Sequence, residues 1–185
     1  MREYSDYDIL FDEARADNVK DIMEQCGFET VAFGKSNQDV YKKPPVLNFE
    51  MHRSLSEARH GDVFYDYYVK IDDRLIKDED KNYGRHLSDE DFYIYFLVHE
   101  NKHFTGAGTG LRSLVNTYVL SKYYGDKLDK EYLSKELRKL GIYDFERDAR
   151  ILVDKLFSGQ NSLSPKWNCS TDTYILTHTE TLRPE

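Results

Sequence analysis

The sequence predicts a mixed α/β (α+β) fold, in which an N-terminal half of short strands and helix is followed by a helical C-terminal half. Three observations carry this. Residues 1–75 hold several short stretches of alternating polarity, separated by turn residues. From Ser88 onward the apolar spacing becomes helical, and glycines stand where those helices end. Apolar side chains make up 39% of the 185 residues, enough to bury a core, and the 14% aromatic content is unlike that of a disordered chain. The length suits one domain, or one domain with an appendage. Along it we expect an α/β part over 1–80, a helical part over 81–160 and an irregular tail over 161–185.

Asp6 to Phe11 reads as a strand whose alternation puts Asp6 and Asp8 on one face and Tyr7, Ile9 and Phe11 on the other. A helix is expected over Asp12 to Gln25, because Ala14, Val19, Ile22 and Met23 are near helical spacing and Gly27 follows. Phe28–Phe33 and Asp39–Tyr41 read as strands joined by the turn-like Gly34-Lys35-Ser36-Asn37. Pro44-Pro45 blocks a helix and introduces an extended Val46 to Leu55, with Leu47, Phe49 and Met51 on one face and Asn48, Glu50 and His52 on the other. Asp62 to Asp73 is Tyr-rich and acidic, and fits a helix or an edge strand. Ser88-Asp89-Glu90-Asp91 resembles a capping box and opens a helix expected to reach about Phe104. A glycine-rich loop over 106–110 leads to a helix from Leu111 to Tyr124, stopped by Gly125. Two more helices follow, Lys130 to Leu140 before Gly141 and Asp144 to Phe157 before Gly159, with a short strand suggested at Tyr174–Leu176.

Composition excludes several classes. The 26 basic residues against 34 acidic ones give a net charge of −8, which disfavours broad DNA binding. No apolar run has the length of a membrane span, so no membrane association is expected. The opening Met1 to Asp6 lacks the apolar stretch of a secretory signal, and two cysteines, Cys26 and Cys169, make no disulfide framework. A cytoplasmic protein is the expectation.

Three motifs bear on chemistry. Asp6-x-Asp8 on a strand, with Glu50 from another, is an oxygen-rich set suited to Mg²⁺. Sites of this kind orient nucleophile and leaving group in phosphoryl or nucleotidyl transfer. D-x-D also arises by chance on the solvated faces of acidic proteins. Against that reading, Ile9, Leu10 and Phe11 suggest a core strand, where unpaired carboxylates are costly. The second motif, His99-Glu100-Asn101-Lys102-His103, matches H-E-x-x-H, the zinc-peptidase pattern. Thr109 stands where an extended motif wants a third histidine, Lys102 opposes a cation, and a third ligand would have to come from a later residue such as Glu131 or Glu136. Phe92, Phe96, His99 and His103 recur at helical spacing, which places the histidines on the helix's expected buried face. The third motif, Gly106-Ala107-Gly108-Thr109-Gly110, lacks the P-loop ending and reads as a helix–helix connection.

Taken in order, Arg2, Ser5 to Leu10, Glu50-Met51-His52, His99-x-x-Lys102-His103-Phe104 and Gly108-Thr109-Gly110-Leu111-Arg112 resemble an uncharacterised bacterial nucleotidyltransferase family of the DNA polymerase β-like superfamily, over roughly residues 2–157. The resemblance implies a small mixed nucleotidyltransferase-type sheet followed by helices. It also implies Mg²⁺- or Mn²⁺-dependent transfer of a nucleotidyl group from an NTP to the hydroxyl of a small molecule, a protein or an RNA. Asp6, Asp8 and Glu50 would hold the metals and converge at the rim of one sheet, with Glu50 helping to deprotonate the acceptor. Lys102, His103 and Arg112 would contact phosphate or acceptor, and Glu100 would fall at a variable position of the H-x-x-K-H pattern. Asn116 stands where similar sequences tend to carry Asp. The superfamily's Gly-Ser turn, which holds the triphosphate, belongs well upstream of D-x-D, yet only five residues precede Asp6. That turn is expected to be missing, with weak nucleotide binding and poor turnover as the consequence. The alternatives are a zinc-dependent peptidase built on His99, Glu100 and His103, and a catalytically inactive nucleotidyltransferase-fold binding protein.

Overall fold

Alternating strands need partners and amphipathic helices need cover, and the chain satisfies both in a mixed α+β arrangement. The computed structural model describes residues 6–56, 62–80, 83–106 and 110–157, in two units divided between Ile71 and Asp72. Arg2, Ser5, most of the glycine-rich loop, Cys169 and the strand expected at Tyr174–Leu176 lie outside the described residues.

The first unit is built on a four-stranded sheet. Its strands are β1 (Tyr7–Leu10), β2 (Glu29–Ala32), β3 (Gln38–Lys43) and β4 (Leu47–His52), in the order β1-β4-β3-β2. β1 runs parallel to β4, while β4 with β3 and β3 with β2 are antiparallel, so the sheet is mixed. A 3₁₀ turn at Glu13–Arg15, capped by Asp12, leads into α1 (Ala16–Gln25). Gly27 and Gly34 then adopt positive φ, of 81° and 64°, at the turns before and after β2. The β3–β4 turn contains Pro44-Pro45.

One face of this sheet is aromatic. Tyr7 and Phe49 are register partners and stack with centroids 4.8 Å apart, and Phe28 meets Phe49 edge-on at 5.3 Å. Tyr41, partner of Phe49 on the other side, is fully buried, and burial beside Asp39 pushes its hydroxyl pKa up to about 12. The carboxylate of Asp39 is buried as well. Its oxygens accept two bonds from Arg53 Nη2, at 3.0 and 2.8 Å, and one from the Gly34 amide at 2.7 Å. This ion pair ties the residue after β4 back to β3 and to the β2–β3 turn. The expectation that β1 is a core strand is corrected: it ends the strand order among the described residues, and Tyr7 and Ile9 each remain 40% exposed. The apolar run specifies a strand but not its place in the sheet.

α2 (Val63–Tyr68) and a 3₁₀ turn at Ile71–Arg74 fill the Tyr-rich stretch that fitted helix or strand. The second unit opens on the end of that turn and a short hairpin of β5 (Ile76–Lys77) and β6 (Arg85–His86), which the sequence did not announce. Four helices follow: α3 (Asp89–Thr105), α4 (Leu111–Tyr124), α5 (Lys130–Lys139) and α6 (Tyr143–Phe157). Ser88 caps α3 by accepting a bond from the Asp91 amide at 3.1 Å, and Asp129 caps α5 through the amides of Glu131 and Tyr132. Leu114, Leu152 and Val153 form a buried cluster where α4 meets α6, with Phe104, Tyr118 and Leu156 packed against it. A buried polar network braces α3 against α5: Asp91 accepts from Arg74 and from the Tyr132 hydroxyl, while Glu136 pairs with Arg74 and Lys139. No helix among the described residues is long and apolar enough to cross a membrane.

Candidate metal centre

The pairing of β1 with β4 decides where the carboxylates fall. Their parallel register sets Asp8 opposite Glu50 and Leu10 opposite His52. Because strand side chains alternate, Asp8, Glu50 and His52 share the face opposite Tyr7, Phe49 and Met51. Ligand atoms of these three residues all lie within 4.8 Å of one another. His52 Nε2 is 2.8 Å from Asp8 Oδ1, and Gln38, the β3 partner of His52, donates from Nε2 to Glu50 Oε2 at 2.7 Å. Gln38 thus restrains the Glu50 carboxylate from the neighbouring strand. Exposure is graded across the cluster, with the Asp8 side chain 62% exposed and that of His52 only 17%.

This donor set suits a divalent metal. Two carboxylates can supply charge and hard oxygen, and the imidazole of His52 can supply a nitrogen beside them. Of the three residues expected to converge, Asp8 and Glu50 do so; Asp6 immediately precedes β1 and stands outside the group. His52 and Gln38 were not among the expected site residues. Their signal lay in the period-two spacing of Glu50 and His52, and in a register that only the folded sheet supplies.

The other expected residues belong to the second unit. Lys102 and His103 occupy the last turn of α3 and Arg112 the first turn of α4, all three exposed. His99 and His103 are exposed too, with Nε2 atoms 3.2 Å apart. This corrects the expected buried face: Phe92 is also exposed, whereas Ile94, Leu97 and Val98 turn inward. The seven residues from Phe92 to Val98 are all apolar or aromatic, so periodicity could not select the inner face. Glu100 is half-buried, and burial raises its pKa despite the opposing charge of Arg112. Among the described residues no carboxylate, cysteine or further histidine joins His99 and His103 within ligand range. Glu136, one suggested third ligand, is held by Arg74 and Lys139. Cys26 is an exposed free thiol.

No curated protein and no solved structure matches the chain. The model of the family described as uncharacterised nucleotidyltransferase matches residues 1–158, a span that holds the Asp8–Glu50–His52 cluster and helices α1 to α6. On that match the chain belongs to the uncharacterised nucleotidyltransferase family.

Proposed function

We propose that this protein transfers a nucleotidyl group from an NTP to an acceptor hydroxyl, in a reaction that depends on a divalent cation held by Asp8 and Glu50, with Asp6, just before the strand, as a further carboxylate for it. The observation that carries this reading is the meeting of Asp8 and Glu50 on one face of the sheet, in a chain of this family. The cation, Mg²⁺ or Mn²⁺, would supply positive charge at the α-phosphate of the NTP when bound. Asp8 and Glu50 would fix where that charge sits, and Gln38 restrains the Glu50 carboxylate. Glu50 also takes the proton of the acceptor hydroxyl as the new oxygen–phosphorus bond forms and the bond to pyrophosphate breaks. Lys102, His103 and Arg112 are cationic or polar groups suited to phosphate or acceptor.

Calorimetry of NTP binding with and without Mg²⁺ or Mn²⁺, beside an assay of pyrophosphate release, tests the reading. Binding should require the cation and weaken by about tenfold or more in Asp8→Ala and in Glu50→Ala, since one charge-assisted contact is worth roughly 1.5–3 kcal/mol. Binding that ignores both the cation and the two carboxylates would overturn it.

A further inference from the structure

The third member of the cluster is a histidine, and a nitrogen donor among carboxylates changes which cation the site prefers. We infer that His52 is a direct metal ligand through Nε2, and that it makes the site select Mn²⁺ over Mg²⁺; the inference rests on the metal-site reading of Asp8 and Glu50 given above.

Three features support it. First, two ligands on adjacent corners of an octahedron at about 2.1 Å from the metal lie roughly 3 Å apart. Asp8 Oδ1 and His52 Nε2 are already 2.8 Å apart, so one ion can bridge them with little movement. Second, His52 is the least exposed ligand of the pair, on a strand paired on both sides, with Leu10 across one ladder and Gln38 across the other. Its ring is thus presented by rigid backbone rather than by a loop. Third, the chemistry discriminates. Mg²⁺ favours oxygen and gives up water reluctantly, whereas a first-row transition ion gains more from imidazole. As a ligand, the His52 ring would give its Nε2 lone pair to the ion and carry its proton on Nδ1. The bland alternative is that His52 only donates a hydrogen bond to Asp8 and positions that carboxylate.

His52→Gln separates the two. A glutamine amide still donates to Asp8, so a purely positioning role survives the substitution, but it offers an ion no imidazole nitrogen. The probe is Mn²⁺ alone, titrated by electron paramagnetic resonance and displaced by Mg²⁺, in a His99→Ala background that removes the α3 histidine pair. The parent should bind Mn²⁺ about tenfold or more tighter than Mg²⁺ and show nitrogen modulation of the bound Mn²⁺ signal. His52→Gln should lose that modulation and bind Mn²⁺ about 10- to 100-fold more weakly, while Mg²⁺ affinity moves by less than about threefold. Bound Mn²⁺ without nitrogen modulation in the parent, or an unchanged Mn²⁺/Mg²⁺ ratio in the variant, would overturn the inference. The parent spectrum settles the matter even if the variant folds poorly. Asp8→Ala and Glu50→Ala keep the two levels apart. Loss of Mn²⁺ in both, with the ratio unmoved by His52→Gln, refutes only the histidine's role. Retention of Mn²⁺ in both refutes the metal site itself.

Discussion

Replacing Asp39 by alanine should loosen the centre of the first unit's sheet more than any surface change near it. The carboxylate is fully buried and accepts two bonds from Arg53 Nη2 and one from the Gly34 amide. Its removal leaves the amide of the exposed Gly34 without that acceptor and leaves the Arg53 guanidinium, whose side chain is 15% exposed, with Glu13 at 3.6 Å as its remaining ion partner among the described residues. Breaking a buried pair from one side costs about 3–5 kcal/mol. Partial exposure of Arg53 and the Glu13 contact lower this to about 2–4 kcal/mol. At 1.4 kcal/mol per decade, amides of β3 and β4 should exchange with solvent roughly thirtyfold to several hundredfold faster when read by hydrogen-exchange mass spectrometry. The double substitution Asp39→Leu/Arg53→Met removes both charges and should recover most of the loss, because apolar packing replaces a buried ion pair at little cost. A loss below about 1 kcal/mol in the single variant, or a double variant no better than the single, would refute the reasoning.

Glu100 is held above the usual carboxylate range chiefly by burial. Its contribution to stability is therefore present below the unfolded-state pKa and lost as pH rises through the folded one, so Glu100→Gln should add about 1 kcal/mol at neutral pH and little in acid. Thermal melts across that range check it, with a rise of about 2–4 °C expected at pH 7, and equal gains at both ends would count against it. Ser88→Ala should cost about 1 kcal/mol in urea unfolding by removing the cap bond to the Asp91 amide; an unchanged midpoint would show the cap to be idle. Metal analysis of the purified protein should find no stoichiometric zinc that depends on His99, since two exposed imidazoles fall short of the three or four ligands zinc takes. One tight zinc per chain lost in His99→Ala would reverse that expectation.

The sequence by itself settled what depends on near neighbours. Ser88 announced α3, Gly125 ended α4, and the alternation around Tyr7 and Phe49 marked two strands, because caps, positive-φ turns and period-two spacing are all local effects. The ordered motifs pointed to the family that the match over residues 1–158 supports. Other features were decided only when distant segments met. Two-residue strands such as β5 and β6 carry no periodicity, so their hairpin left no trace to read. The apolar run in α3 offered two faces, and packing chose Ile94, Leu97 and Val98 over Phe92 and the histidines. Most of the candidate site belongs to this second category. Alternation could place Asp8 on one face of β1, and Glu50 and His52 on one face of β4, but it could not say which faces coincide. The parallel register across 42 positions of chain, Asp8 opposite Glu50, did that. A register is a long-range agreement between two strands, and a slip of one residue would have sent Glu50 and His52 to the aromatic side.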